Sequence, residues 1–214
     1  MRRIGVIADT HCPEFLDRLP EGIGETFAGV ELILHAGDVG GVHGGGTLAE
    51  LERIAPVLAV RGDHDEALEQ LPTSREIVID GRRIALVHGN HGHLYEEPVT
   101  FFNTIGLGVV PPLQPGHQRW LRSQFPAADV IISGHTHTAF VDRGPGPMLF
   151  NPGPVYVVDP AAALRRLERG PSWFEWSWLQ VVRHRRDRPL PSVGILELDG
   201  AAMQARVVPL ASPD

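Results

Sequence analysis

The chain has 214 residues, of which 43% are hydrophobic and 21% charged, a composition that excludes a disordered or collagen-like chain and fits one folded domain. Its 26 acidic and 19 basic residues give a net charge of −7, which argues against a general role in coating nucleic acid. The single cysteine, Cys12, excludes an internal disulfide, and no segment has the pattern of a signal peptide or a membrane span. We therefore expect a cytoplasmic protein that does not enter a membrane.

Short apolar runs bounded by turn residues predict seven strands, over residues 3–8, 30–34, 56–60, 77–79, 84–87, 130–132 and 193–198. Strand and helix patterns alternate over the first 60 residues, which is typical of parallel strands. The dipeptide Asp80-Gly81 separates two of the runs and accepts the positive φ angles of a tight hairpin. Because a hairpin pairs its strands antiparallel, we expect mixed sheets.

Helical spacing predicts helices over 47–54, 116–125 and 159–170. Thr47 is the expected N-cap of the first helix, because Glu50 three residues later would complete a capping box. The glycine-rich stretch 40–46 lacks the Gly-x-x-x-x-Gly-Lys pattern of a nucleotide-binding loop, and the chain contains no lysine. We expect this stretch to be a flexible loop.

Five apolar runs end directly at an Asp or a His, usually beside a glycine. They lie in Ile4–His11, Leu32–Asp38, Val57–Asp65, Ile84–Gly89 and Val130–His137. Because the carboxyl ends of strands in an open α/β sheet line one crevice, we expect these polar side chains to converge. Two pairs, Asp9 with His11 and His135 with His137, are two residues apart. An extended backbone would project both members of such a pair from the same side.

Oxygen and imidazole donors without a thiolate predict divalent metal ions at this crevice, with manganese as the first candidate and iron, zinc, nickel or magnesium as the others. The candidate donors are Asp9, His11, Asp38, Asp63, His88, His135 and His137. Seven donors are more than one tetrahedral site uses, so two ions are expected. Two ions about 3.5–4 Å apart are the arrangement of many phosphatases and nucleases.

The order of these motifs resembles the calcineurin-like metallophosphoesterase superfamily. The motifs are Asp9-Thr10-His11, Gly37-Asp38, Gly62-Asp63-His64-Asp65, His88-Gly89 and Gly134-His135-Thr136-His137. Asn151-Pro152-Gly153 resembles the small bacterial and archaeal phosphodiesterase subgroup, and the likeness covers residues 1–153 and 192–210. It implies an α/β fold, a four-layer αββα sandwich of two mixed β-sheets flanked by helices. One domain would span 1–214, with a segment outside the family pattern at about 155–191.

The resemblance also implies a role for each donor. Asp9, His11 and His137 would hold one metal, Asp63, His88 and His135 the other, and Asp38 would bridge the two. A hydroxide shared by the metals would attack phosphorus, because metal binding lowers the pKa of water. His64 would stabilise the transition state or protonate the leaving group. The implied substrate is a small phosphate ester, a phosphodiester in particular, with nucleotides among the candidates.

Two positions depart from the family pattern. The family usually has Asn where this chain has Asp63 and Gly where it has Cys12. With Asp63 ionised, three carboxylates face two divalent ions, so the site carries a charge of +1 instead of +2 before a hydroxide is added. Our hypothesis is that Asp63 tightens metal binding and favours monoanionic diesters over dianionic monoesters. Cys12 would either touch the site or be a small buried apolar residue.

Other interpretations of the site residues stay open at this point. Asp9 and Asp38 could be helix N-caps, and His64 could be only a hydrogen-bond partner of its neighbouring aspartates. His91 or His93 could lie near the metals in place of His88. Among the remaining histidines, His35 lies inside a strand and is expected either to be packed there or to support a metal ligand, whereas His43, His117 and His184 are expected at the surface.

The segment 173–188 combines tryptophans with arginines. It could be a lid whose aromatic rings stack on a base, but we favour an added element that covers a sheet edge or forms a homodimer contact. For the whole chain the alternative function is a non-catalytic metal-binding scaffold of the same fold that binds proteins. A complete donor set favours the enzyme. A metal-dependent oxidoreductase ranks last, because no cofactor motif is present.

Overall fold

The computed structural model describes residues 1–91, 116–157 and 190–210, together with residues 173, 176, 179, 180 and 183. The strands in this part of the chain are β1 Arg2–Ile7, β2 Leu32–His35, β3 Val57–Ala59, β4 Ser74–Ile79, β5 Arg82–Val87, β6 Val130–Ile132, β7 Phe140–Asp142, β8 Met148–Asn151, β9 Ser192–Asp199 and β10 Ala202–Pro209. The helices are α1 Gly22–Thr26, α2 Gly44–Leu51 and α3 His117–Gln124, and a 3-10 turn spans Gly41–His43. The helix expected over 159–170 lies outside the described residues.

Two five-stranded sheets form the framework. The first sheet has the order β10-β9-β1-β2-β3, in which β1, β2 and β3 are parallel and β9 is antiparallel to both of its neighbours. The second sheet has the order β4-β5-β6-β8-β7, in which β5, β6 and β8 are parallel and the two edge strands are antiparallel. Asp80 and Gly81 both have positive φ at the turn between β4 and β5. The hairpin and the mixed sheets are therefore confirmed.

The two sheets pack face to face with helices outside them. Side chains from both sheets, including Val6, Leu34, Leu86, Ile132 and Phe150, form one buried cluster between the sheets. On the outer face of the first sheet, a second cluster includes Ile23 of α1, Phe27 directly after this helix and Leu51 of α2. On the outer face of the second sheet, Leu121 of α3 packs on Ala85, Ile131 and Leu149. This is the expected αββα sandwich.

The start of α2 differs from the prediction. The helix begins at Gly44 within the glycine-rich stretch, so this stretch is a helical turn and not a loose loop. Thr47 is not an N-cap: it lies inside the helix, and its hydroxyl donates to the carbonyl of Cys12 at 2.5 Å. Gly44 lies close against Val39, where a Cβ would be 3.1 Å from the valine side chain. Tertiary packing has overridden the local capping signal here.

All seven predicted strands are present, with ends shifted by up to three residues. The sequence pattern did not reveal β7, β8 and β10. The first two are only three and four residues long, too short for an alternating pattern to show. In β10, exposed polar residues interrupt the apolar ones, and its pairing with β9 through a turn at Gly200 holds it in the sheet. Among the described residues, no helix has the length and apolar character needed to cross a membrane.

Candidate metal centre

The eight predicted site residues lie at neighbouring strand ends. In the first sheet, Asp9 and His11 follow β1, Asp38 follows β2, and Asp63 and His64 follow β3. In the second sheet, His88 follows β5, and His135 and His137 follow β6. Because β1, β2 and β3 are parallel to one another, as are β5 and β6, their carboxyl ends open at the same edge of each sheet. The expected convergence takes place where the two sheets meet.

The donors form two clusters. The first cluster is Asp9, His11, Asp38 and His137, and the second cluster is Asp63, His88 and His135; within each, one candidate ligand atom per residue lies within 4.8 Å of the others. The carboxylate of Asp38 lies between the clusters, because its Oδ2 is 3.3 Å from Nε2 of His11 and 3.4 Å from Nε2 of His88. The two clusters group the donors as the family resemblance implies, and His64 also groups with Asp38 and Asp63 within 4.8 Å. Which of these residues hold metal stays a prediction.

Several buried donor atoms in these clusters face the centre without a hydrogen bond. In the part of the chain that the structure describes, Oδ2 of Asp9 and the Nε2 atoms of His11 and His88 have no hydrogen-bond partner. Nε2 of His88 lies 2.8 Å from Oδ1 of Asp63, but the pair is not aligned as a hydrogen bond. Buried polar atoms are seldom left unsatisfied, and one divalent cation in each cluster would satisfy these three atoms. The donor set therefore fits metal ions.

The carboxylates of the site also raise the pKa values of two candidate histidine ligands. Burial lowers the pKa of His11, but the Asp38 and Glu14 carboxylates outweigh burial and raise it to about 10. For His88, Asp38 and Asp63 likewise outweigh burial and hold the pKa well above its ordinary value. The carboxylates thus draw protons onto the imidazoles. Metal ions release such protons when they bind, because a metal ligand must be the neutral imidazole.

The backbone at the site takes an unexpected conformation. Among the described residues, the non-glycine positions with positive φ are Asp9, His11, Asp38, Asp80, His135 and His137, and all but Asp80 belong to the site. The expectation that an extended backbone presents the i, i+2 pairs is therefore wrong. Each pair sits in a left-handed turn, a conformation in which Asp and His are enriched over most residues. Asp9 and Asp38 do not cap a helix, because α1 and α2 begin later, at Gly22 and Gly44.

Asp65, to which the sequence pattern assigned no role of its own, holds two of the site loops together. Its buried carboxylate accepts hydrogen bonds from the backbone N–H groups of Val39 at 2.9 Å, Gly40 at 3.2 Å and Gly62 at 3.0 Å. These bonds join the loop after β2 to the loop after β3. The backbone N–H of His64 adds a bond to Oδ1 of Asp38 at 3.0 Å.

Asn151 supports the turn that carries His135 and His137. Its Nδ2 donates to the carbonyl of Gly134 at 2.8 Å and to the hydroxyl of Thr136 at 3.1 Å. Its Oδ1 accepts from the backbone N–H of Gly153 at 2.8 Å. The Asn151-Pro152-Gly153 motif, found in the sequence as part of a resemblance, thus has a physical role in positioning two histidines.

Two further residues at the site were missed. Oε2 of Glu14 lies 3.1 Å from Nδ1 of His11, and Oε1 lies 3.3 Å from Nδ1 of His64. Burial raises the pKa of Glu14, but these two imidazoles outweigh it and lower the pKa to about 2. His64 therefore pairs with Glu14 and not with its neighbouring aspartates. The hydroxyl of Tyr156 is buried beside His11 and has no hydrogen-bond partner in the described part of the chain. Neither residue lies in a recognisable motif.

His91 and His117 pair with each other beside the site. Nε2 of His91 lies 2.8 Å from Nδ1 of His117, and the His91 ring centroid is 4.0 Å from that of Trp120. His88, and not His91, lies in the second cluster; His93 is outside the described residues. The surface position expected for His117 is wrong, because the first turn of α3 packs the ring against the loop after β5.

Two more histidines, the single cysteine and part of the tryptophan-rich segment also lie among the described residues. His35 is fully buried and contacts the hydroxyl of Thr10 at 3.0 Å, as expected for a packed residue, and His43 is exposed. Cys12 is buried in the cluster under α1 and α2, which is the apolar role considered for it. His184 lies outside the described residues. In the tryptophan-rich segment, Trp173 and Trp176 are exposed and Leu179 is buried.

The chain resembles known proteins in family, in sequence and in fold. The family model of the calcineurin-like phosphoesterase superfamily domain matches residues 1–164. A probable metallophosphoesterase from Methanothermobacter thermautotrophicus is 36% identical over 169 residues, which cover 77% of this chain and 86% of that protein.

The solved structures bear on the fold. Vps29 from Entamoeba histolytica complexed with Zn²⁺ superimposes with a TM-score of 0.62 at 20% identity, covering 97% of this chain and 98% of that one. A novel archaeal phosphodiesterase gives a TM-score of 0.51 at 19% identity, covering 96% of this chain and 99% of that one. Both confirm the sandwich architecture. The family match, the related archaeal sequence and the paired Asp and His clusters agree, and the chain belongs to the calcineurin-like phosphoesterase superfamily.

Proposed function

We propose that this chain is a metal-dependent phosphodiesterase whose two clusters hold one divalent ion each. The observation that carries the proposal is the placement of the Asp38 carboxylate between the Nε2 atoms of His11 and His88, with the remaining donors of each cluster on either side. A single carboxylate shared by two sets of donors is suited to holding two ions at short separation. Manganese is the first candidate metal, since carboxylate and imidazole donors suit it.

Two bound ions would supply a nucleophilic hydroxide at neutral pH and positive charge for the phosphoryl oxygens. The chain's own groups would do the rest. The Asp and His donors fix the ions' positions, and the strand ends that carry them belong to both sheets, so the substrate phosphate would bind at the open edge between the sheets. That edge is where Asp63 and His64, both 34% exposed, and Glu14, 27% exposed, lie.

His64 is the proposed proton donor. Its side chain is 34% exposed, compared with 1% for the candidate ligands His11 and His88. A histidine at the accessible side of the site can contact both a phosphoryl oxygen and the leaving oxygen. Proton donation by a positioned histidine contributes about 10²–10⁴-fold to rate in enzymes generally.

A diester is the favoured substrate because three of the candidate metal ligands are carboxylates. The Asp63 carboxylate contacts His88 and His135 in the second cluster, where it would partly neutralise the charge of a bound metal ion. A monoanionic diester loses less attraction from this neutralisation than a dianionic monoester does. The archaeal phosphodiesterase of the same fold provides a precedent for this substrate class.

The test is hydrolysis of bis(p-nitrophenyl) phosphate and p-nitrophenyl phosphate by chelator-stripped protein with Mn²⁺ added back. We expect turnover that needs the metal and favours the diester. His135→Ala should lower turnover by at least about 100-fold, the upper range seen for residues that only support metal ligands. The matched control is His43→Ala, which removes an exposed histidine and should keep wild-type turnover.

Two results would contradict the proposal. A protein that binds two equivalents of metal but hydrolyses no phosphate ester would instead be the metal-binding scaffold considered above. A preference for the monoester would overturn the diester assignment while leaving the phosphoesterase in place.

A further inference from the structure

Glu14 lies at an unusual place, between a candidate metal ligand and the proposed proton donor. It sits three residues after His11, in a turn that the backbone N–H of Phe15 closes by donating to the His11 carbonyl. Its two carboxylate oxygens face different imidazoles, Oε2 toward His11 and Oε1 toward His64. The rings of His11 and His64 meet edge to face, with centroids 4.7 Å apart.

We propose that Glu14 is a positioning residue that holds His11 and His64 together through their Nδ1 atoms. A carboxylate only accepts hydrogen bonds, so each Nδ1 carries the hydrogen. In His11 the lone pair is then on Nε2, the atom that faces Asp38 at 3.3 Å. In His64 the same contact leaves Nε2 to carry the second hydrogen of the protonated ring, which is the hydrogen that would pass to the leaving oxygen. This inference rests on the proposed function.

The shared contact has two chemical consequences. A carboxylate that accepts from a ligating histidine orients the ring and raises its basicity toward the metal. The same carboxylate stabilises His64 as a proton donor, because it faces the nitrogen opposite the one that would contact substrate. One glutamate thus fixes a metal ligand and the proton donor in a single geometry.

Glu14 could instead be a metal ligand itself, because His11, Glu14 and His64 also lie within 4.8 Å of one another. A third ion there would require His11 to bind metal through both nitrogens. The hydrogen-bond arrangement uses each nitrogen of His11 once, so we adopt it. Metal stoichiometry distinguishes the two.

The first measurement is metal binding by the apo protein, in competition with a chromophoric chelator. Glu14→Gln should keep the wild-type number of Mn²⁺ equivalents but weaken their affinity by about 10-fold, as other residues that support metal ligands do. Glu21→Gln is the matched control, because Glu21 is 85% exposed and pairs only loosely with Arg18 at 3.4 Å. Wild-type affinity in Glu14→Gln, or loss of a metal equivalent, would overturn the proposal.

The second measurement is the dependence of rate on the leaving group, using p-nitrophenyl and phenyl diesters of methyl phosphate. Phenol is the poorer leaving group and needs protonation more. Glu14→Gln should therefore lose about 10-fold more rate on the phenyl ester than on the p-nitrophenyl ester. In a His64→Gln background, the additional Glu14→Gln change should leave this ratio where His64→Gln alone puts it.

Equal losses on the two esters would show that Glu14 does not act through His64 and would overturn that part of the proposal. If the wild-type protein hydrolyses neither ester, the proposed function fails and the metal measurement still judges the role of Glu14 at His11. Nitrogen-15 NMR of the Zn²⁺-loaded protein then tests His64 directly. In the neutral form of this ring, the single hydrogen should lie on Nδ1 in wild type and lose this preference in Glu14→Gln.

Discussion

Individual residues at the candidate centre adopt conformations that most side chains avoid. Asp9, His11 and Asp38 have φ angles of 51°, 42° and 55°. A left-handed conformation costs a non-glycine residue on the order of 1–3 kcal/mol. Backbone hydrogen bonds from Asp9 to the Gly37 carbonyl and from His11 to the Asp38 carbonyl, both 3.0 Å, hold two of these turns in place. Strained turns thus aim the side chains at one centre.

Asp63 offers a direct test of how charge selects the substrate. Asp63→Asn keeps an oxygen donor but removes one negative charge from the site. We expect metal affinity to fall and the ratio of diester to monoester kcat/KM to fall by about 10-fold, equivalent to about 1.4 kcal/mol, because the dianion gains more from the added positive charge. Steady-state kinetics on the two nitrophenyl esters, with metal titration, measures both.

The matched control for this variant is Asp80→Asn, which makes the same change of charge in the β4–β5 hairpin, where Asn also accepts a positive φ. It should leave both quantities unchanged. An unaltered ratio in Asp63→Asn would refute the charge argument even if the protein proved to be a phosphodiesterase.

At the scale of elements, local patterns were enough for the strands that carry the site but not for their surroundings. β1, β2, β3, β5 and β6 have apolar runs that end in Asp or His, so both their existence and their convergence were predictable. Glu14 joins the nearby His11 to the distant His64, Asp65 binds the backbone of the distant Val39 and Gly40, and Tyr156 lies beside the distant His11. No local spacing reveals the distant contacts. The start of α2 was mispredicted because its packing, not its caps, determines it.

Gly194 in β9 shows how tightly the two sheets fit. A Cβ at this position would overlap Cζ of Phe150 in β8. Gly194→Ala should therefore lower the free energy of unfolding by about 1–3 kcal/mol, the usual cost of overpacking a core. Urea denaturation followed by tryptophan fluorescence measures the change.

A glycine in open space provides the comparison. A methyl group added at Gly24 in α1 would meet no atom within 4 Å, so Gly24→Ala should be neutral or stabilise by up to about 1 kcal/mol. Combining Gly194→Ala with Phe150→Leu should recover part of the loss, since the smaller side chain makes room. A Gly194→Ala protein as stable as wild type would show that the sheets can separate at little cost.

For the whole molecule, the candidate centre lies across the junction of the two sheets. In the first cluster, Asp9, His11 and Asp38 follow strands of the first sheet, whereas His137 follows a strand of the second. The second cluster likewise joins Asp63 of the first sheet to two histidines of the second. Each ion would therefore cross-link the sheets.

The single domain proposed for 1–214 and the homodimer contact of the tryptophan-rich segment stay predictions.

This arrangement predicts that metal binding stabilises the fold, independently of catalysis. Each bound ion, at 100 times its dissociation constant, should add about 2.7 kcal/mol to the free energy of unfolding, because the unfolded chain does not hold the donors together. For a chain of this size each ion then adds roughly 5–10 °C to Tm, measurable by calorimetry of chelator-stripped protein with and without Mn²⁺. His135→Ala should lose a large part of the shift, because it removes a donor from the second sheet, whereas His43→Ala should keep all of it. A shift of wild-type size in His135→Ala would mean that the ions bind elsewhere, since a centre that joins the sheets depends on donors from both.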